Sequence, residues 1–244
     1  MEIIEGRNPV IEALKSGRPI SKILLDKNVK SMGPIIHILE IARLRNIQVD
    51  FVEKQFIDKQ YAGGVNQGVI AFASAKEYVD LDDLLDISKK KGEPALYLIL
   101  DGIEDPHNLG AIIRTADATG IHGVIIRERR AVGLTPAVAK ASAGAVEYVP
   151  IARVTNISQT IISLQKNNVW VVGIDMVGET NYTKVDYRSP TAIVIGGEGK
   201  GLSELVGKRC DYLASIPMKG QIGSLNASVA AAVVMYEALR QRLG

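Results

Sequence analysis

Hydrophobic and polar positions follow one pattern up to about residue 75 and a different pattern afterwards. In the first part, apolar residues at helical spacing predict helices over residues 8–16, 35–45 and 53–61. Short apolar runs between them predict strands over residues 22–26, 47–52 and 68–73. Residues 1–75 are therefore predicted to form a small α/β domain that is large enough to fold alone.

Continuous apolar runs dominate the second part of the chain. Residues 76–93, with acids first and lysines last (DLDDLLDISKKK), predict a connector that contains one short helix. Apolar runs at 96–100, 123–127, 169–174 and 192–195 then alternate with helices predicted over 108–119, 136–143, 156–167 and 226–242. Such runs are typical of strands covered on both faces. Residues 94–244 are therefore predicted to form a mostly parallel α/β sheet domain.

Composition narrows the setting in which this protein works. Hydrophobic residues make up 47% of the chain, yet no apolar run approaches the roughly 18 residues of a membrane span. The N-terminus lacks the pattern of a signal peptide. Cys210 is the single cysteine, which excludes an internal disulfide and suits a reducing compartment. The sequence predicts a cytoplasmic protein that does not enter a membrane.

The net charge is only +2, so any nucleic-acid surface has to be a local patch. Two basic runs could supply it, namely residues 89–91 and the group Arg127, Arg129 and Arg130. The alternative is that both runs are solvated loops or helix ends.

Ligands bind parallel α/β sheets at the carboxyl ends of the strands, so the segments that follow the apolar runs are the candidate sites. The first, DGIEDPHNLGAIIRTADATG at 101–120, contains Asn108 at the start of a predicted helix and Arg114 inside it. A surface ion pair between Arg114 and Asp117 would also explain this pattern.

Two further segments follow apolar strands in the same way. AIVIGGEGKGLSE, residues 192–204, has glycines that allow a close approach of backbone to a ligand, but it matches neither the Walker loop nor the GxGxxG fingerprint. IPMKGQIGSLNAS, residues 216–228, leads into a long helix, where Ser224 or Asn226 would also be expected as an ordinary cap.

Together, these three segments resemble the three motifs of the SpoU (TrmH) family of RNA ribose 2′-O-methyltransferases. The matching patterns are NLGAIIRTADATG, IGGEGKGL and IPMKGQIGSLNAS, in the family's order. The front part, with EGRNPVIEAL and QGVIAF, resembles the family's accessory domain, which is similar to RNA binders of the L7Ae/L30e type. The resemblance implies a deep trefoil knot in the catalytic domain, S-adenosylmethionine as methyl donor and a homodimer. It also implies a guanosine in the peptidyl-transferase loop of 23S rRNA as the target.

The resemblance also assigns residues to roles. The residues that fall at donor-binding positions are Gly196, Gly197, Gly199, Gly201, Ile216, Met218 and Leu225. The residues that fall at catalytic positions are Asn108, Arg114, Glu198, Ser224 and Asn226.

The family's usual role for Arg114 is general base, but a guanidinium keeps its charge at any ordinary pH. We therefore expect Arg114 to clamp an RNA phosphate and to stabilise the developing alkoxide.

The motifs are also compatible with functions other than rRNA methylation. A tRNA ribose methyltransferase and a non-catalytic RNA-binding or assembly protein both fit the same motifs. The absence of a GxGxxG motif in the sequence argues against the hypothesis that the protein is an NAD-type oxidoreductase. No cluster of His, Cys and Asp has metal-ligand spacing, so no metal is predicted. The last helix is apolar over more of its surface than one buried stripe needs, which independently favours a homodimer.

Overall fold

The computed structural model describes residues 1–29, 33–61, 66–199 and 201–244. Their chain contacts divide them into two compact units. The first unit comprises Met1–Glu77 and Leu134–Tyr148, and the second comprises Tyr78–Gly133 and Val149–Gly244. The sequence predicts residues 134–148 within the second domain, whereas in the structure they pack with the first unit.

The elements of both units alternate between strands and helices along the chain. The strands are β1 (Glu2–Glu5), β2 (Ile20–Asp26), β3 (Gln48–Val52), β4 (Val69–Ala73), β5 (Leu96–Asp101), β6 (Gly123–Arg127), β7 (Ile151–Val154), β8 (Trp170–Ile174), β9 (Thr180–Asn181), β10 (Thr191–Gly196) and β11 (Tyr212–Ser215). The helices are α1 (Arg7–Lys15), α2 (Pro34–Leu44), α3 (Lys54–Gln60), α4 (Leu81–Lys91), α5 (Pro106–Ala118), α6 (Pro136–Ala141), α7 (Ile157–Lys166), α8 (Glu204–Arg209) and α9 (Ala227–Leu243). Short 3-10 turns lie at Ala145–Glu147 and Tyr182–Lys184.

The first unit is built on a mixed sheet with the strand order β1-β4-β2-β3. β4 runs antiparallel to both of its neighbours, while β2 and β3 are parallel. The apolar faces of α1 and α2 bury Val10, Leu14, Ile35 and Ile38 together with Ile23 of β2. Burying an aliphatic side chain of this kind contributes about 1.5–3 kcal/mol, so this cluster stabilises the unit.

The segment 134–148 is held in the first unit by a buried ionic contact. Arg18 donates from Nη1 to the Glu147 carboxylate at 2.6 Å and from Nε to the Ser74 carbonyl at 2.9 Å. Both ionic side chains are almost fully buried. Lys76 adds a hydrogen bond from Nζ to the Glu147 carbonyl at 2.9 Å. The smaller unit is therefore assembled from two separate stretches of the chain.

The second unit is built on a parallel sheet with the strand order β7-β6-β5-β10-β8-β11-β9. Its central strands β5 and β10 are buried almost throughout, which matches the continuous apolar runs in their sequence. The predicted parallel α/β fold is confirmed. β1, β7 and β9 were not predicted, and each of them lies at the edge of its sheet.

Helix α5 begins two residues earlier than sequence analysis placed it. Asp105 caps this helix, because its carboxylate accepts the N–H of His107 at 3.0 Å. Pro106 then occupies the first helical position, where a missing N–H costs nothing. Asn108 consequently lies inside the first turn, where its side chain is buried. Among the described helices, none is both long and apolar enough to cross a membrane.

Candidate active site

A cleft of about 250 Å³ opens at the carboxyl ends of β8, β10 and β11. We call it the glycine-loop cleft. Its lining residues come from three loops and the first turn of α9: Ile174, Asp175, Met176, Ile195, Gly196, Gly197, Glu198, Gly199, Gly201, Ile216, Met218, Gly223, Ser224, Leu225, Ala227 and Ala230. The structure thus brings all seven predicted donor-binding residues, with Glu198 and Ser224, to one place.

The glycine loop between β10 and α8 is packed too closely against backbone to hold side chains at two positions. A Cβ on Gly196 would lie 2.2 Å from the carbonyl carbon of Gly201. A Cβ on Gly197 would lie 2.3 Å from the carbonyl oxygen of Gly102. Both contacts are with backbone, which cannot move aside cheaply. The wall of the cleft therefore requires glycine at 196 and 197.

Two aspartates at strand ends hold this loop, and neither was among the site residues predicted from the sequence. Asp101, buried at the end of β5, accepts the backbone N–H of Ser203 at 2.9 Å and its hydroxyl at 2.6 Å. The other carboxylate oxygen of Asp101 pairs with Arg127 at 3.0 Å. Asp175, after β8, accepts the N–H of Leu202 at 3.3 Å. The available signal was an aspartate directly after each of two apolar strands, LYLILD and VVGID.

The first and second motifs meet through a side-chain hydrogen bond. Asn108 in α5 donates from Nδ2 to the Glu198 carboxylate. Asn108 is buried, whereas Glu198 is exposed in the glycine-loop cleft. This contact orients the Glu198 carboxylate, which can accept a further hydrogen bond from a ligand.

The third motif contributes both a loop and a helix cap. Ser224 and Leu225 line the cleft, and Leu225 is 37% exposed. The Asn226 carboxamide oxygen accepts the N–H groups of Ser228 at 2.9 Å and Val229 at 3.4 Å, which caps α9. Asn226 does not line the cleft and caps α9, as anticipated for a structural role, while its catalytic role stays a prediction.

Arg114 is exposed on α5 and does not line the glycine-loop cleft. Its side chain makes no hydrogen bond or ion pair with the described residues, so the alternative pair with Asp117 is not formed. Its guanidinium is therefore available to a phosphate.

A basic loop lies next to the first motif. The N–H of Val132 donates to the carbonyl of Ile103 at 2.9 Å, which ties the loop after β6 to the segment after β5. Arg129 and Arg130 are exposed in this loop. The basic run noted in the sequence thus reaches the carboxyl edge of the sheet, one loop away from the glycine-loop cleft.

The described residues contain no group of three or more His, Cys, Asp or Glu side chains placed to hold a metal ion. Burial raises the pKa of the Cys210 thiol to about 12, with a smaller contribution from the neighbouring Asp211 carboxylate. A thiol in that state is not a nucleophile at neutral pH. Cys210 is therefore not a candidate nucleophile.

Comparison with known proteins identifies the family. The model of the SpoU rRNA Methylase family matches residues 95–236, and the model for RNA 2′-O ribose methyltransferase substrate binding matches residues 3–79. The chain belongs to the SpoU family of RNA methyltransferases. It is 46% identical over 241 residues to YacO of Bacillus subtilis strain 168, which is named as a candidate TrmH family tRNA/rRNA methyltransferase. That match covers 99% of this chain and 96% of YacO.

Two solved structures extend the comparison to the fold. The SpoU methyltransferase AviRb from Streptomyces viridochromogenes, in complex with AdoMet, superimposes with a TM-score of 0.84 at 29% identity, covering 99% of this chain and 90% of AviRb. An AdoMet-bound rRNA methyltransferase from Sinorhizobium meliloti gives a TM-score of 0.80 at 29% identity, covering 100% of this chain and 88% of that one. The predicted family and its methyl donor, S-adenosylmethionine (AdoMet), are confirmed.

Proposed function

We propose that this protein transfers a methyl group from S-adenosylmethionine to the 2′-hydroxyl of a guanosine ribose in 23S rRNA. The observation that carries the proposal is the glycine-loop cleft, where residues from the second and third motifs converge beside the Asn108–Glu198 contact. Family membership supplies the reaction class, and the S. meliloti neighbour, an rRNA methyltransferase, supports the choice of RNA.

The glycine-loop cleft is proposed to hold the donor. Its walls combine backbone groups of the glycine loop with apolar side chains such as Ile216, Met218 and Leu225. This mixture suits a nucleoside that carries a sulfonium side chain, because backbone groups can fix its polar edges while apolar walls cover its rings. We further propose that the chain is knotted here. The convergence of the loops that follow β8, β10 and β11 on one cleft supports this proposal.

The donor supplies an electrophilic methyl group bound to a positively charged sulfur. In the transfer, the ribose oxygen forms a bond to the methyl carbon, the carbon–sulfur bond breaks, and the hydroxyl proton leaves. Arg114 is proposed to bind the neighbouring phosphate and to stabilise charge on the ribose oxygen, because its guanidinium is exposed and carries a positive charge. Glu198, oriented by Asn108, is proposed to accept the proton through water.

The RNA strand is proposed to cross the carboxyl edge of the sheet. Arg129 and Arg130 lie in the loop that is hydrogen-bonded to Ile103, directly beside the first motif. Exposed arginines in such a position bind phosphates and set the register of a strand without reading its sequence. The first unit, which matches a substrate-binding model over residues 3–79, is proposed to recognise the rRNA.

A homodimer is part of the proposal, and the exposed side of α9 supports it. Val229, Tyr236 and Leu243 are spaced by seven residues and are 46%, 53% and 79% exposed. Side chains at this spacing lie on one face of a helix. An apolar stripe of this length is a surface that a second copy of the chain can cover symmetrically.

One experiment tests the whole proposal. The protein is incubated with S-adenosylmethionine carrying a tritiated methyl group and with total RNA from a strain that lacks this gene, and the labelled nucleotide is mapped. Label on a 2′-O-methylguanosine of 23S rRNA is the expected result. Label in tRNA would move the substrate to the alternative class. Donor binding without transfer to any RNA would leave an RNA-binding or assembly protein.

A further inference from the structure

Two exposed aromatic side chains are stacked at the amino ends of β8 and β11, the sheet edge opposite to the glycine-loop cleft. Trp170 begins β8 and is 51% exposed, while Tyr212 begins β11 and is 38% exposed. Their ring centroids are 6.0 Å apart and their planes meet at 23°. Four residue steps of about 3.3 Å separate Trp170 from Ile174 in the glycine-loop cleft, so about 13 Å of strand lies between the two places.

A second cleft, which we call the Trp170 cleft, adjoins this stack. Its volume is about 210 Å³, and its lining residues are Gln165, Asn168, Val169, Trp170 and Asp211. Typical pockets for drug-sized ligands start at about 300 Å³, so this cleft has the size for one planar ring system. Tyr212 does not line it, so a ligand there can meet the indole without displacing the tyrosine.

The carboxylate of Asp211 is held in place by protein donors and still has capacity to accept more. Oδ2 accepts the N–H of Val171 at 2.7 Å, and Oδ1 accepts from Nε2 of Gln165 at 3.0 Å. A carboxylate offers about four acceptor positions, two on each oxygen, so one position on each oxygen remains. Two parallel acceptors beside an indole match a flat ring that carries two adjacent N–H donors on its edge.

We propose that the Trp170 cleft binds a guanine base of an unpaired RNA strand. Guanine presents two adjacent donors, N1–H and the N2 amine, on its Watson–Crick edge, and Asp211 accepts both while Trp170 stacks on the ring. Lys166 follows Gln165 in the chain, and the Gln165 amide donates to the Arg209 carbonyl, so two exposed cationic residues adjoin the cleft and can bind the flanking phosphates. The inference rests on RNA being the substrate and adds a contact remote from the chemistry.

The test uses tryptophan fluorescence, because Trp170 is the only tryptophan in the chain. The whole protein, with S-adenosylhomocysteine saturating the glycine-loop cleft, is titrated with UUGUU, UUAUU and GMP. We expect quenching by UUGUU at roughly tenfold lower concentration than by UUAUU or GMP. Absence of quenching by UUGUU would overturn the site. Equal affinity for GMP and UUGUU would overturn the RNA assignment in favour of a free nucleotide.

Two variants separate recognition from packing, with affinity measured by the anisotropy of labelled pentanucleotides. Asp211→Asn keeps the shape of the side chain, and it is expected to weaken UUGUU binding roughly tenfold while UUAUU binding stays the same. Trp170→Leu is expected to weaken both. The control Asp83→Asn makes the same change at an exposed aspartate of α4 in the second unit and should change neither. An unchanged preference for guanine in Asp211→Asn would refute the proposal. Since no transfer is measured, a failure of the proposed methylation would leave these results intact.

Discussion

Replacing Asp101 by asparagine tests whether the glycine loop is held by a buried charge. The substitution keeps the size of the side chain but removes its charge and one of its acceptor oxygens. The two contacts of Oδ2 with Ser203, at 2.9 and 2.6 Å, and the contact of Oδ1 with Arg127, at 3.0 Å, cannot all be kept. An amide group turned towards either partner places donor against donor.

The expected loss follows from the burial of the pair. Breaking a buried ion pair by removing one partner costs about 3–5 kcal/mol. The Arg127 side chain is 28% exposed, so solvent compensates part of this loss and about 2–3 kcal/mol is expected. The Nε of Arg127 is buried and has no partner in the described part of the chain, which leaves the guanidinium few alternatives. Because the loop forms a wall of the glycine-loop cleft, donor affinity should fall by roughly tenfold, or about 1.4 kcal/mol.

Urea denaturation and calorimetric titration with S-adenosylhomocysteine measure the two effects. Asp186→Asn is the matched control, because Asp186 pairs with Arg188 at 2.9 Å on the surface, where such pairs contribute about 0–1 kcal/mol. Adding Arg127→Gln to Asp101→Asn removes the unpaired cation and should restore part of the stability. An Asp101→Asn protein with unchanged stability and unchanged donor affinity would refute this account of the loop.

Four further outcomes are expected. Gly197→Ala places a methyl group 2.3 Å from the Gly102 carbonyl oxygen, so calorimetry should find no donor binding in a protein that is still folded. In single-turnover methylation from about pH 6.5 to 10, Arg114→Ala should lose roughly 2.7–4 kcal/mol of transition-state stabilisation, and Arg114→Lys should keep weak activity. If the lysine variant were faster than wild type at neutral pH, Arg114 would instead be a general base. Burial lowers the pKa of His122, so on acidification the unfolded chain binds a proton at this histidine before the folded chain does, and the free energy of unfolding should fall as the pH drops below about 6.5. Equal urea midpoints at pH 7.5 and 5.5 in wild type, or a fall in the midpoint that persists in His122→Gln, would contradict this. Arg129→Ala should lower the slope of log affinity for RNA against log salt by about 1 and leave donor affinity unchanged, in filter-binding assays.

The sequence predicted the main strands and the motif loops because their signals are local. A run such as LYLIL identifies a buried strand without any tertiary information, and the glycines of residues 196–201 stand out in the same way. The edge strands β1, β7 and β9 were not predicted because they are two to four residues long and partly exposed, so their sequences show too little hydrophobic periodicity.

The contacts that complete the candidate site depend on residues far apart in the chain. Asp101 holds Ser203 across 102 positions, and Asn108 reaches Glu198 across 90. Single aspartates after strands are common, so only the folded arrangement distinguishes Asp101 and Asp175 from ordinary loop residues. For Arg114 the pattern predicted its place on α5, but exposure and the missing partner became visible only in three dimensions.

The inclusion of residues 134–148 in the first unit changes how this protein can be divided. The ionic contact of Arg18 with Glu147 joins positions 129 residues apart, so the smaller unit is discontinuous in the gene. A fragment that starts at residue 78 would keep α6 and the turn after it but lose the rest of the first unit. Val138 and Val146 would then be exposed to solvent, and Glu147 would lack its partner Arg18. Such a surface favours aggregation. Replacing the smaller unit by the corresponding unit of a relative would therefore require two pieces of chain to be exchanged at once.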